Sequence, residues 1–96
     1  MRQSRRAPAR ELLLANHKFP GIYYIKAFGP ATQEFRRAIE DAAIAVVEAS
    51  RVSFSERTTT SASRSCITLE LRVESVDEII ETYERIHLVK DLKFIL

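Results

Sequence analysis

From Phe19 onward the hydrophobic positions switch between a period of two and a period near 3.6, in the order strand, helix, strand, strand, helix, strand. Over residues 22–28, alternation puts Tyr23, Ile25 and Ala27 on one face and Tyr24, Lys26 and Phe28 on the other. Lys26 decides which face is inward, because burying an unpaired ammonium costs roughly several kcal/mol. Tyr23, Ile25 and Ala27 therefore face the core, and Gly29-Pro30 closes the strand. Thr32 then reads as an N-cap with Glu34 in the first helical turn, and Phe35, Ile39, Ala42, Ala43, Val46 and Val47 recur at three- and four-residue steps as one buried stripe. Residues 52–60 are rich in Ser and Thr, with Val52 and Phe54 as the only large apolar positions, which predicts an edge strand. Residues 61–63 turn the hairpin without an Asn-Gly or Asp-Gly pair, so a long, mobile turn is expected.

In the next strand Ile67, Leu69, Leu71 and Val73 alternate strictly with Cys66, Thr68, Glu70 and Arg72. Ser75-Val76-Asp77-Glu78 has the form of a capping box, in which the Ser75 hydroxyl accepts from the Glu78 amide and the Glu78 carboxylate reaches back to the Ser75 amide. Val76, Ile79, Ile80, Tyr83 and Ile86 form the second helical stripe, opposite the acidic Asp77, Glu78, Glu81 and Glu84. A last strand over residues 88–96 is expected to bury Leu92, Phe94 and Leu96 and to expose Asp91 and Lys93.

Two amphipathic helices and four half-buried strands predict an α+β fold, the ferredoxin-like split β-α-β plait (βαββαβ). Its sheet is four-stranded and antiparallel, of order 4-1-3-2, with right-handed crossovers and both helices on one face. The other face is then open, lined by Tyr24, Lys26, Phe28, Cys66, Thr68, Glu70, Arg72, Lys93 and Ile95. Residues 19–96 make this single domain. Residues 1–18 read as a basic, partly disordered N-terminal arm carrying a short helix near residues 9–14.

Composition narrows the picture. A chain of 96 residues that is 46% hydrophobic holds one modest core. Formal charge is +2, but Arg2, Arg5, Arg6, Arg10 and Lys18 against Glu11 give the first twenty residues +4 and leave −2 for the rest, which argues against a nucleic-acid-binding domain. Cys66 stands alone, consistent with a reducing, cytoplasmic setting, and no run approaches the roughly 18 apolar residues of a membrane span.

A short helix, then Phe-Pro, an aromatic strand with Lys and a closing Gly, and a C-terminal segment led by Val-Lys together resemble the YbeD-like family of small bacterial proteins of unknown function. Glu11-Leu12-Leu13, Phe19-Pro20, Ile25-Lys26, Gly29 and Val89-Lys90 carry the resemblance, over most of residues 11–96. Members typically carry Ser-x-Gly-x-Tyr in the central hairpin, where residues 58–62 have neither Gly nor Tyr. The resemblance implies an ACT-like domain, related in shape to regulatory domains that bind small effectors near the loop after the first strand, often at a dimer interface. It points to Gly29 with Phe28 and Pro30, and to Lys26 as a carboxylate partner.

This architecture also hosts enzymes, RNA binders and metal carriers. RNA recognition of the plait type wants rings on the first and third strands, and the third offers Cys66, Thr68, Glu70 and Arg72. His17, His87 and the lone Cys66 lack metal-ligand spacing. Gly21 and Gly29 do not make a phosphate loop, and Asn16 precedes the domain. Cys66 reads as a small strand filler and His87 as a partner of helix-end carbonyls. The expectation is a non-catalytic regulatory or small-ligand-binding module with no cofactor. Its candidate contacts are Tyr24, Lys26, Phe28, Gly29 and Arg72, its partner a small effector or a protein rather than a membrane or a nucleic acid. A protein-interaction adaptor acting through the open face is the alternative, and two exposed rings there, Tyr24 and Phe28, call for a cover.

Overall fold

The structure, a computed structural model, describes residues 7–96; Arg2, Arg5 and Arg6 of the expected arm lie outside the described residues. Its elements are α1 (Arg10–Asn16), β1 (Gly21–Pro30), α2 (Gln33–Ile44), a 3-10 turn (Ala49–Arg51), β2 (Val52–Thr58), β3 (Arg64–Val73), α3 (Val76–Ile86) and β4 (Phe94–Ile95). The sheet order is β2-β3-β1-β4, which is 4-1-3-2 read from the β4 edge, and every neighbouring pair is antiparallel.

One sheet face makes the core. Ile25 and Ala27 of β1 and Ile67, Leu69, Leu71 and Val73 of β3 are buried against Phe35, Ile39, Ala42 and Ala43 of α2 and Val76, Ile79, Tyr83 and Ile86 of α3. The 3.6-residue stripes and the two-residue alternation thus meet on one surface, as their periods require. Leu13 adds α1 to the same core, and Arg10 ties that helix to Asp77 of α3 at 2.5 Å. Thr32 caps α2 as its sequence position predicts, its hydroxyl accepting from the Phe35 amide at 3.1 Å.

Three expectations need correction. The Ser75 hydroxyl makes no cap bond. The Glu78 carboxylate instead accepts from the Glu74 amide at 2.8 Å and from Arg51 Nη2 and Nη1 at 3.1 and 3.2 Å, because a bidentate ion pair outcompetes a single bond to the Ser75 amide. The hairpin turn takes residues 59–63 rather than 61–63, because β2 ends at Thr58, and it is tied by its own hydrogen bonds: the Thr59 amide donates to the Arg64 carbonyl, the Ala62 amide to the Thr59 carbonyl, and the Thr59 hydroxyl accepts from the Ser63 and Arg64 amides. The last strand is only Phe94–Ile95, and its parity is reversed. Residues 88–93 leave α3 through turn hydrogen bonds and pass Asp91 at φ 71°, so Ile95 packs toward the core beside Ala27 while Phe94 and Leu96 face solvent. A one-residue slip exchanges every side chain between faces.

Candidate functional site

The pairing registers lay the open sheet face out in rows. Arg57 of β2, Cys66 of β3, Phe28 of β1 and Phe94 of β4 form one row. Ser55, Thr68 and Lys26 form the next, completed by Leu96, which exchanges both backbone hydrogen bonds with Lys26 at 2.8 and 3.0 Å. Ser53, Glu70 and Tyr24 follow, and Arg72 with Ile22 ends the face. Large apolar side chains stand open along it: Ile22 is 52% exposed, Tyr24 57%, Phe94 52% and Leu96 68%.

At the hairpin end this face is concave. A pocket of about 620 Å³ is lined by Phe28 and Phe94, by Arg57, Arg64 and Lys93, and by Gly29, Cys66 and the residues at 58, 59 and 65. The Phe28 and Phe94 rings stack with centroids 4.4 Å apart and planes 13° from parallel, giving the pocket a flat apolar wall. Three cations line it and no carboxylate does. Glu56, the chain neighbour of Arg57, sits on the opposite face of β2. There it accepts from Arg36 Nε at 2.6 Å, from Arg36 Nη2 at 3.1 Å and from the Ser65 hydroxyl at 2.5 Å. Those bonds, the Arg36 guanidinium first and the Ser65 hydroxyl second, hold the Glu56 carboxyl below the usual glutamate range. Glu56 is thus committed elsewhere, and Arg57, Arg64 and Lys93 have no ion-pair partner among the described residues.

The five residues singled out from the sequence do not form one site. Phe28 and Gly29 line the pocket, Lys26 sits one row away and Tyr24 two rows away. Arg72 lies at the far end, beside a second, shallower hollow of about 360 Å³ that it shares with Pro20, Gly21, Ile22, Arg51, Val73 and Glu74. Gly29 owes its identity to packing. It is buried without a positive φ, and a Cβ there would come within 2.6 and 2.7 Å of the Phe35 ring carbons Cε1 and Cε2. Arg57, Arg64 and Phe94 were missed. Arg64 shares the parity of Cys66 and Thr68 and was readable from the alternation. Phe94 was hidden by the inverted parity of the last strand, and Arg57 by the weak apolar signal of β2.

At the opposite end of the sheet, Arg51 bridges Glu78 and the Arg72 carbonyl, the latter at 2.9 Å, and so clasps β3 to the start of α3. Tyr23 and Tyr83 share a hydroxyl–hydroxyl hydrogen bond of 3.1 Å, and burial, aided by that bond, pushes the Tyr83 phenol far up. In both arrangements the polar groups are paired with one another. No helix among the described residues is long and apolar enough to cross a membrane.

Residues 15–96 match the family described as "Protein of unknown function (DUF493)", the family of the YbeD-like proteins. No curated protein and no solved structure matches the chain.

Proposed function

For a chain that belongs to the DUF493 family, and so to a family without an assigned activity, we propose that the pocket beside Phe28 and Phe94 binds a small organic anion and that the protein is a non-catalytic ligand-binding, regulatory module. The observation that carries this reading is the juxtaposition of a stacked aromatic wall with three cations and no carboxylate in one concavity. A few convergent polar groups around an apolar pocket of several hundred Å³ are what small-ligand sites have in common. The βαββαβ order with order 4-1-3-2 supports reading the fold as ferredoxin-like and ACT-like. The position agrees as well, because the pocket lies at the end of β1, where that resemblance implies effector binding.

A ligand that binds only the folded chain raises its melting temperature by mass action. A screen of organic anions should therefore contain compounds that raise the thermal midpoint of the wild type and not that of Phe94→Ala. A broad screen in which no anion shifts the wild type sinks the reading.

A second reading, a protein-interaction adaptor, is favoured by the exposure of Ile22, Tyr24 and Leu96 on the same face beyond the pocket. Capture of a specific partner that is lost in Tyr24→Ala and unaffected by a saturating anion would select it. A partner list unchanged by Tyr24→Ala counts against it.

A further inference from the structure

We infer that the pocket's ligand is a flat ring bearing a phosphate monoester rather than an amino acid or a simple carboxylate; this rests on the small-ligand reading above and narrows it.

Charge is the first argument. An α-amino acid brings an ammonium with its carboxylate, and that ammonium needs an acceptor of opposite charge. The pocket provides Arg57, Arg64 and Lys93 and no carboxylate, while Glu56 is turned to the other face and Glu70 lies two rows away beside Tyr24. A cation brought into this lining meets three like charges. A single carboxylate would leave two of the three unneutralised, whereas a phosphate monoester carries about −1.5 to −2 at neutral pH with three acceptor oxygens. Two arginines suit it further, since the guanidinium fork matches phosphate oxygens two at a time.

Shape is the second. The Phe28–Phe94 pair presents a flat, half-exposed ring surface at one end of the row, and Arg57 stands at the other end, on β2. Three inter-strand steps of about 4.8 Å separate those ends, roughly 14 Å. Such a span admits a ring stacked on Phe94 with its phosphate directed toward Arg57 and Arg64, and it is too long for a compact inorganic ion to touch both ends. Lys93, beside Phe94, supplies positive charge at the ring end.

The test is calorimetric titration of the full chain with AMP, phenyl phosphate, adenosine, inorganic phosphate, L-phenylalanine, benzoate and a single-stranded octathymidylate. AMP or phenyl phosphate should bind at least tenfold more tightly than adenosine, inorganic phosphate, L-phenylalanine or benzoate. Phe94→Ala should weaken that binding about tenfold by removing the stacking surface, and Arg57→Gln and Arg64→Gln should each do so by removing a charge-assisted contact. Arg37→Gln, on the exposed side of α2, should leave it unchanged. Unliganded thermal midpoints confirm that each variant folds, and the comparison of AMP with adenosine needs no variant. L-phenylalanine or benzoate binding as tightly as the phosphates, through the same residues, overturns this inference and leaves the small-anion reading standing. Failure of both AMP and phenyl phosphate to bind overturns it as well. Octathymidylate binding far more tightly than AMP, with affinity that grows with oligomer length, assigns the phosphate-and-ring chemistry to a nucleic acid and overturns the small-molecule source.

Discussion

At the scale of single residues, the identity of Gly29 is set from behind, by the Phe35 ring, and not by the pocket in front of it. Gly29→Ala drives a methyl against a side chain that α2 holds buried, so the core must be displaced to accept it. We expect a loss of about 1–3 kcal/mol in urea unfolding, partly recovered in Gly29→Ala combined with Phe35→Leu; a neutral single variant would show that the ring yields freely. Ala62 poses the opposite case. It holds φ 58° in the hairpin turn, a conformation that costs a residue with a Cβ about 1–2 kcal/mol. Glycine removes that cost and adds back some unfolded-state freedom, so Ala62→Gly should gain up to about 1 kcal/mol. A destabilised Ala62→Gly would contradict the turn geometry. Reading Lys26 as an exposed residue correctly oriented the whole of β1, because a charge on an alternating strand admits one solution. The sequence also shows that Gly29 is a glycine next to a proline, but the ring that requires it lies six residues on and meets it only in the fold.

Among elements, those with strong, uninterrupted periodicity were legible and those built by competition were not. The stripes of α2 and α3 and the alternation of β3 needed no tertiary information. The start of α3 did, because Arg51, 27 residues away in sequence, takes the carboxylate that a local capping box would have used. Arg51 first, and to a lesser degree the Glu74 amide, hold the Glu78 carboxyl below its ordinary value of 4.5 against the opposing effect of burial. A pKa depressed by folding contributes stability that is present above the ordinary glutamate range and is lost as pH falls through the depressed value. Glu78→Gln should therefore lower the thermal midpoint at pH 7 by roughly 5 °C, on the order of 1 kcal/mol in a domain of this size. The two proteins should converge as the pH drops below that range; a gap that persists or widens in acid refutes the clasp. β4 was misread for a related reason. Leu88, Leu92, Phe94 and Leu96 continue an apparent alternation, but Asp91 at φ 71° interrupts the extended run and resets its parity. Ile95→Ala should then cost about 1–2 kcal/mol and Leu96→Ala less than about 0.5 kcal/mol, where the parity read from the sequence requires the reverse.

For the molecule as a whole, net charge concealed the distribution that matters. Beyond residue 20 the formal charge is −2, yet the carboxylates gather on the outer sides of the helices. The open sheet face carries Lys26, Arg57, Arg64, Arg72 and Lys93 against Glu70 alone. The helices and their flanks meanwhile pair Arg10, Arg36, Arg51 and Arg85 with acids. A cationic face left unpaired in this way works against the fold: Arg57 and Arg64 are diagonal neighbours across β2 and β3, and like charges about 7–8 Å apart repel by about 0.5 kcal/mol even at the dielectric of water. If these cations merely solvate the surface, neutralising them should change little. If they are held unpaired to receive an anion, the ligand-free protein stores their repulsion, in the usual conflict between stability and function. The double variant Arg57→Gln, Arg64→Gln should then melt about 2–4 °C above the wild type at low ionic strength, corresponding to roughly 0.5 kcal/mol. The gap should close as salt shortens the Debye length from about 30 Å at 0.01 M to about 3 Å at 1 M. A double variant that melts lower at low salt would mean that the two arginines stabilise the fold, and the pocket's charge would then belong to structure and not to a ligand.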